Sequence, residues 1–153
     1  MEKYLRQAID RNELELHYQP VLNLNNFNTV GVEALLRWRH SSKGMISPLQ
    51  FIPLAEESGL IERLGNWIIH EACRQSKYWR ETGGRPGFHI AINVSGLQIK
   101  NRNFISTFNH ALDEFSLTPD AIDVEITESA FYSEDNNCID NLKYIIFFNL
   151  KFN

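Results

Sequence analysis

The stretch TVGVEALLRW (residues 29–38) alternates apolar side chains with other residues at a period of two, and this pattern decides the fold class. Successive side chains of a β-strand point to opposite faces, so the stretch predicts a strand with two unlike faces. The apolar face consists of Val30, Val32, Ala34, Leu36 and Trp38. The opposite face carries two charged side chains, Glu33 and Arg37. A strand of this kind packs against the core on one face and presents charged side chains on the other.

Three other segments repeat the period of two, and helical patterns lie between them. The additional predicted strands are ELELHYQPVL (13–22), FHIAINVS (88–95) and AIDVEITE (121–128). The predicted helices cover approximately residues 1–11, 47–59, 60–83, 104–115 and 135–144. Strands that alternate with helices predict an α/β fold with a largely parallel sheet.

The two unlike faces of each strand distinguish between the two common forms of such a sheet. In an open doubly wound sheet, helices cover both faces, and the strands are apolar on both. Each predicted strand here has one apolar face and one face with a polar group. A barrel explains this better, because helices cover the apolar outer face while polar groups near the strand ends point into the barrel mouth.

Composition excludes several classes of protein. The chain has 153 residues and a net charge of −4, which suits one domain and gives no electrostatic case for binding nucleic acid or a membrane surface. The first residues contain no apolar leader, and the apolar run at residues 144–150 is far shorter than the roughly 20 residues of a membrane span. Cys73 and Cys138 lack metal-ligand spacing, so we expect reduced thiols in a cytoplasmic protein.

Four strands each place an oxygen-bearing side chain on the polar face: Gln19, Glu33, Asn93 and Glu125. Carboxylate and amide oxygens suit Mg²⁺ or Mn²⁺ rather than zinc. Arg37 lies four strand residues from Glu33, or roughly 13 Å of backbone, so we expect it to engage an anion such as phosphate rather than Glu33. The alternative is structural: Glu33 and Arg37 belong to a polar network, and Asn93 caps a turn.

Five longer segments carry a family resemblance: YQPVLNL, GVEALLRWRH, ISPLQFIPLAEESGLIERLGNWII, AINVSGLQI and VEITESAFY, in that order. Together they resemble the EAL domain family over about residues 13–143, and five motifs in register make the resemblance specific. EAL domains are cyclic di-GMP phosphodiesterases with a modified TIM barrel. The resemblance therefore implies an α/β fold, here the N-terminal portion of a TIM-like (β/α)8 barrel. It also implies metal-dependent hydrolysis of cyclic di-GMP, a bacterial second messenger, to pGpG.

The resemblance also implies roles for individual residues. The implied ligands of Mg²⁺ or Mn²⁺ are Glu33, Asn93 and Glu125. The implied contacts with cyclic di-GMP are Gln19, Leu35, Arg37, Pro53 and Glu56. Glu128 matches a glutamate that supports an active-site loop near the metals.

Other polar residues are assigned no catalytic role. The histidines, which are interpreted as structural or exposed, are His17, His40, His70, His89 and His110. Asp123 is expected to point inward beside Glu125, and it is not counted among the residues that carry the chemistry.

The resemblance stops after Tyr144, and we predict a partial EAL domain over residues 1–144 with a divergent apolar tail over 145–153. The family continues to an Asp-Asp-Phe-Gly-Thr-Gly segment and later supplies a lysine, a glutamate and a glutamine, none of which the tail matches. We therefore expect an incomplete metal site, little turnover by this chain alone, and an open barrel covered by self-association or a partner chain. The alternatives are a non-catalytic module that binds cyclic di-GMP or a protein, and a frameshifted remnant.

Overall fold

The computed structural model describes residues 1–84, 87–126 and 134–147 of the chain. The helices are α1 (Glu2–Ala8), α2 (Pro48–Glu57), α3 (Ile61–Glu81), α4 (Gly96–Lys100), α5 (Phe104–Glu114) and α6 (Asn136–Phe147). The strands are β1 (Leu14–Leu22), β2 (Thr29–His40), β3 (Gly44–Ile46), β4 (His89–Val94) and β5 (Ile122–Ile126). No helix in these ranges is long and apolar enough to cross a membrane.

The sheet has the strand order β1-β2-β4-β5, and the short β3 pairs with the end of β2. Strands β2, β4 and β5 are parallel, as the alternation of strands and helices predicts. Strand β1 differs, because it pairs antiparallel with β2. Residues 23–28 join these two strands directly, and so short a connection cannot contain the crossover that a parallel pair needs. The mixed α/β architecture agrees with the predicted first part of a TIM-like barrel.

The apolar faces of the strands pack against helices and form the core. On β2, Trp38 is fully buried and meets the Phe51 ring of α2 edge to face, with 5.6 Å between ring centroids. The Trp38 indole also donates a hydrogen bond from Nε1 to Glu13 Oε2 at 3.0 Å. On β4, Ile90 and Ile92 have no exposed surface. The face predicted to pack against helices is therefore buried, which leaves the opposite face for polar groups.

Two short elements and one helix end depart from the sequence prediction. Strand β3 and helix α4 were not predicted, because three- and five-residue segments are too short to show a period. Helix α4 is instead stabilised by a capping box in which Ser95 and Gln98 bond to each other's backbone. Helix α6 extends to Phe147 rather than ending near Tyr144, because Ile145 is fully buried and continues the apolar face.

Substitution of Trp38 tests the packing of the helices on β2. Trp38→Ala should lower the free energy of unfolding by about 3–5 kcal/mol, because it leaves a cavity beside Phe51 and removes the bond to Glu13. Urea denaturation followed by circular dichroism measures this change. Leu24→Ala, at a side chain that is 84% exposed, is the control and should change stability by less than about 0.5 kcal/mol. Equal stability of the two variants would contradict the assigned core.

Candidate functional site

Strands β2, β4 and β5 bring Glu33, Asn93 and Glu125 together on the polar face of the sheet; we call these three residues the oxygen cluster. Asn93 lies directly opposite Glu125 in the parallel pair of β4 and β5. Across the other edge of β4, Asn93 Nδ2 donates a hydrogen bond to Glu33 Oε1 at 2.8 Å. Asn93 and Glu125 are each the penultimate residue of their strand. The cluster therefore lies toward the carboxyl ends of the parallel strands, where barrel enzymes have their active sites.

The electrostatics of the oxygen cluster favour a cation. The pKa of the Glu125 carboxyl is raised, mainly because burial removes water from it, and further because the Glu33 and Asp123 carboxylates repel its charge. The Asn93 amide donates through its nitrogen, so its Oδ1 remains an oxygen ligand for a cation. Two carboxylates and an amide oxygen are ligands that Mg²⁺ and Mn²⁺ accept.

The three residues of the oxygen cluster therefore fit a divalent cation, but only two of them carry a carboxylate. Within the ranges that the structure describes, no group of three or more His, Cys, Asp or Glu side chains is placed to hold a metal ion. Mg²⁺ keeps several of its own waters when it binds to proteins, so two carboxylates can suffice for a weak site.

The side chains around the oxygen cluster differ in how close they lie to it. Gln19 pairs with Glu33 in the register of β1 and β2, and it is exposed. The Arg37 guanidinium donates a hydrogen bond from Nη1 to the Leu36 carbonyl at 2.9 Å, and the residue is partly buried. A mostly apolar cavity of about 210 Å³ lies beside it, lined by Ala34, Leu35, Leu36, Arg37, Pro48, Ile52, Ile68 and Asn93. The Arg37 guanidinium and a mostly apolar cavity therefore lie beside the oxygen cluster, and Asn93 belongs both to the wall of the cavity and to the cluster.

The other predicted site residues are not brought into this cavity. Pro53 and Glu56 lie on α2, where Pro53 is exposed and Glu56 is partly buried, and neither lines the cavity within the described residues. The position of Glu128 lies outside the residues that the structure describes. The roles of these three residues stay predictions.

A polar pair that the sequence reasoning did not predict lies beside the oxygen cluster. His89 Nε2 and Asp123 Oδ2 are 3.1 Å apart, and the two side chains are only 12% and 10% exposed. Asp123 lies on the same face of the sheet as Glu125, because residues two apart on a strand share a face. The sequence did contain a signal for the position of His89: the period of two in β4 places His89 on the same face as Asn93, opposite the apolar face.

Comparison with known proteins identifies what this arrangement resembles. The family model described as "EAL domain" matches residues 2–147. The bifunctional diguanylate cyclase/cyclic di-GMP phosphodiesterase MucR of Pseudomonas aeruginosa is 46% identical over 125 residues, which are 82% of this chain and 18% of that protein. The cyclic di-GMP phosphodiesterase PdeR of Escherichia coli is 36% identical over 135 residues, which are 88% of this chain and 20% of that protein.

Solved structures agree with the sequence relatives. The cyclic di-GMP complex of the PaMucR phosphodiesterase superposes with a TM-score of 0.90 and 39% identity, and the match covers 98% of this chain and 60% of that one. A structure of the EAL enzyme Bd1971 bound to cAMP and cyclic di-GMP gives a TM-score of 0.89 at 30% identity, and it covers 99% of this chain and 42% of that one. The chain thus spans less than two thirds of the proteins that it matches.

The raised pKa of Glu125 predicts a pH-dependent effect of neutralising it. Near neutral pH the folded chain holds an ionised carboxylate that is costly to bury, so Glu125→Gln should raise the melting temperature by about 1–3 °C, an effect kept small by solvent screening. The folded-state pKa lies above the unfolded value, so the wild type loses stability as pH rises through that range. The gain should therefore disappear below about pH 4, where the carboxyl is protonated in both states.

Thermal melts of both proteins across this pH range measure the effect. Glu62→Gln is the control, because it removes an exposed carboxylate from the first turn of α3, where a negative charge is favourable. A gain in Glu62→Gln equal to that in Glu125→Gln, or a gain in Glu125→Gln that does not depend on pH, would contradict the assigned environment.

Proposed function

The chain belongs to the EAL domain family, and on that premise we propose that it carries the first part of a metal-dependent cyclic di-GMP phosphodiesterase site. The observation that carries the proposal is the oxygen cluster, in which Asn93 bonds to Glu33 and pairs with Glu125 near the strand ends. The relatives supply the substrate, since MucR is a bifunctional diguanylate cyclase/cyclic di-GMP phosphodiesterase and PdeR is a cyclic di-GMP phosphodiesterase.

The oxygen cluster would hold Mg²⁺ or Mn²⁺ through the carboxylates of Glu33 and Glu125 and the amide oxygen of Asn93. When bound, such a cation supplies Lewis acidity toward a phosphodiester and makes a nearby water more acidic. The Asn93 amide contributes in another way, because its bond to Glu33 fixes the orientation of both side chains before a ligand arrives. Glu128 is proposed, from the resemblance alone, to support a loop near this site.

Arg37 and its cavity would bind the dinucleotide. The Arg37 guanidinium uses one nitrogen for the Leu36 carbonyl, and its other N–H groups remain donors for an anionic phosphate. The cavity beside it is mostly apolar, which suits the flat face of a base, and Leu35 lies in its wall. Gln19 opposite Glu33, with Pro53 and Glu56 on α2, completes the proposed contacts with cyclic di-GMP.

We propose that hydrolysis needs groups beyond those of residues 1–144, the partial domain that precedes the apolar tail at 145–153. The resemblance implies an aspartate pair and a lysine that this sequence does not match, and each missing group for water activation typically costs about 10²–10⁴ in rate. A partner chain that carries these groups and completes the barrel would supply them, whereas a second copy of this chain would only cover the open barrel. The two cysteines, Cys73 and Cys138, are buried and fit the proposed cytoplasmic location.

Binding of cyclic di-GMP without turnover is the second candidate function. It is favoured because the Arg37 guanidinium and the apolar cavity beside it can bind the dinucleotide without a metal, whereas the oxygen cluster has only two carboxylates to hold one. A chain with this balance of groups would act as a receptor for the dinucleotide.

Substitution of Arg37 tests recognition of the dinucleotide. Arg37→Met should weaken binding of cyclic di-GMP by about 10–100-fold, because it removes a charged hydrogen-bond donor to phosphate. Isothermal titration calorimetry in Mg²⁺ measures this. Arg63→Met is the control, since Arg63 is exposed and pairs with Asp10 on the surface at 3.2 Å. No heat with the wild type, or equal affinities for the two variants, would contradict the proposed binding site.

Hydrolysis by the chain alone is the separate test of catalysis. We expect no pGpG above the no-enzyme background when the purified chain is incubated with cyclic di-GMP and either Mg²⁺ or Mn²⁺, because groups that activate the water are missing. Chromatography of the nucleotides measures the product. Accumulation of pGpG that is lost in Glu33→Gln would show that this chain is a complete enzyme and would refute the need for a second segment.

A further inference from the structure

His89 and Asp123 form a polar pair beside the oxygen cluster, on the same face of the sheet. Their side chains meet at 3.1 Å between Nε2 and Oδ2 and are almost fully buried. His89 Nδ1 also lies 3.4 Å from the Gly87 carbonyl, so both ring nitrogens face oxygen atoms. A buried carboxylate without a donor is costly, and the imidazole N–H supplies Asp123 with one.

The His89–Asp123 pair and the oxygen cluster lie on the same face of the sheet. His89 precedes Asn93 on β4 by four positions, and Asp123 precedes Glu125 on β5 by two, so the alternation of side chains keeps each of these pairs on one face. In the strand register Ala91 lies opposite both Glu33 and Asp123, whereas Asn93 lies opposite Glu125. Asp123 is therefore level with Glu33 and directly adjoins the oxygen cluster.

Gly31 provides the space for the His89 ring. Gly31 is paired with His89 in the register of β2 and β4. A Cβ atom at Gly31 would lie 2.6 Å from both His89 Nε2 and the His89 carbonyl oxygen, which is too close for any side chain. The ring therefore occupies the space above the backbone of β2 while it bonds to β5. It thus contacts both of the strands that carry the carboxylates of the cluster.

We propose that His89 is a positioning residue for the oxygen cluster: its imidazole, bound to Asp123, fixes β5 against β4 and keeps the cluster arranged to receive a divalent cation. Asp123 lies two residues before Glu125 on the same face, so a shift of one carboxylate moves or repels the other. The inference deepens the proposed function and rests on it for the identity of the bound cation. The positioning itself is measurable without any metal.

The first test measures Mn²⁺ affinity of the whole chain from the paramagnetic resonance signal of free Mn²⁺. His89→Leu should weaken binding by about 10–100-fold, the usual effect of losing a residue that orients metal ligands. His89→Gln should retain most of the affinity, because its amide N–H can still donate to Asp123. His70→Leu is the matched control: His70 makes a similar 3.1 Å contact with Glu114, but between exposed side chains of α3 and α5.

The second test records the side-chain amide signal of Asn93 by nitrogen-15 NMR without metal. His89→Leu should move this signal, because the bond from Asn93 to Glu33 changes, whereas His89→Gln and His70→Leu should leave it in place. If His89→Leu does not fold, His89→Asn replaces it, since its amide is one methylene shorter than that of glutamine and should not reach Asp123.

The results separate this inference from the proposed function. A moved Asn93 signal together with no Mn²⁺ binding by the wild type would support positioning by His89 and refute the metal site. A folded His89→Leu or His89→Asn variant with wild-type Mn²⁺ affinity and an unmoved Asn93 signal would overturn the inference. Equal losses in His89→Gln and His89→Leu would also overturn it, because the hydrogen bond would then not be the cause.

Discussion

The hydrogen bond from Asn93 Nδ2 to Glu33 Oε1 links the two halves of the described sheet, and the site depends on it. Strand β4 lies between β2, which carries Glu33, and β5, which carries Glu125. Asn93 on β4 bonds to Glu33 and pairs with Glu125, so it connects the two strands that carry the carboxylates. Side chains alternate along a strand, so a slip of one residue in β4 would turn Asn93 toward the helices and break the cluster. The buried Ile90 and Ile92 on the opposite face prevent that slip, because it would bring them out of the core.

The two faces of the sheet therefore have opposite energetic roles. The apolar face contributes burial, with Trp38, Ile90 and Ile92 almost without exposed surface. The polar face costs free energy, as the raised pKa of Glu125 indicates, because carboxylates are held near one another with reduced access to water. Groups held in this way mark functional sites in many enzymes.

Much of this arrangement could be predicted from the sequence, because it follows from the period of two. The alternation in β2 predicted that Trp38 is buried and that Glu33 lies on the other face, and both are observed. The antiparallel pairing of β1 was not predicted, because fold class was inferred from alternating strands and helices rather than from the short connection at 23–28. The partnership of His89 with Asp123 was also missed. A pattern shows which face a residue occupies, but pairing also depends on the register between strands distant in sequence and on the space above Gly31.

Binding of a divalent cation at the oxygen cluster can be tested by anomalous X-ray scattering at the manganese edge, from crystals of the 153-residue chain grown with Mn²⁺. We expect an anomalous peak in contact with oxygen atoms of Glu33, Asn93 and Glu125, with the Asn93 amide nitrogen still directed at Glu33. The absence of a peak at the oxygen cluster, or a peak coordinated elsewhere on the chain, would contradict it.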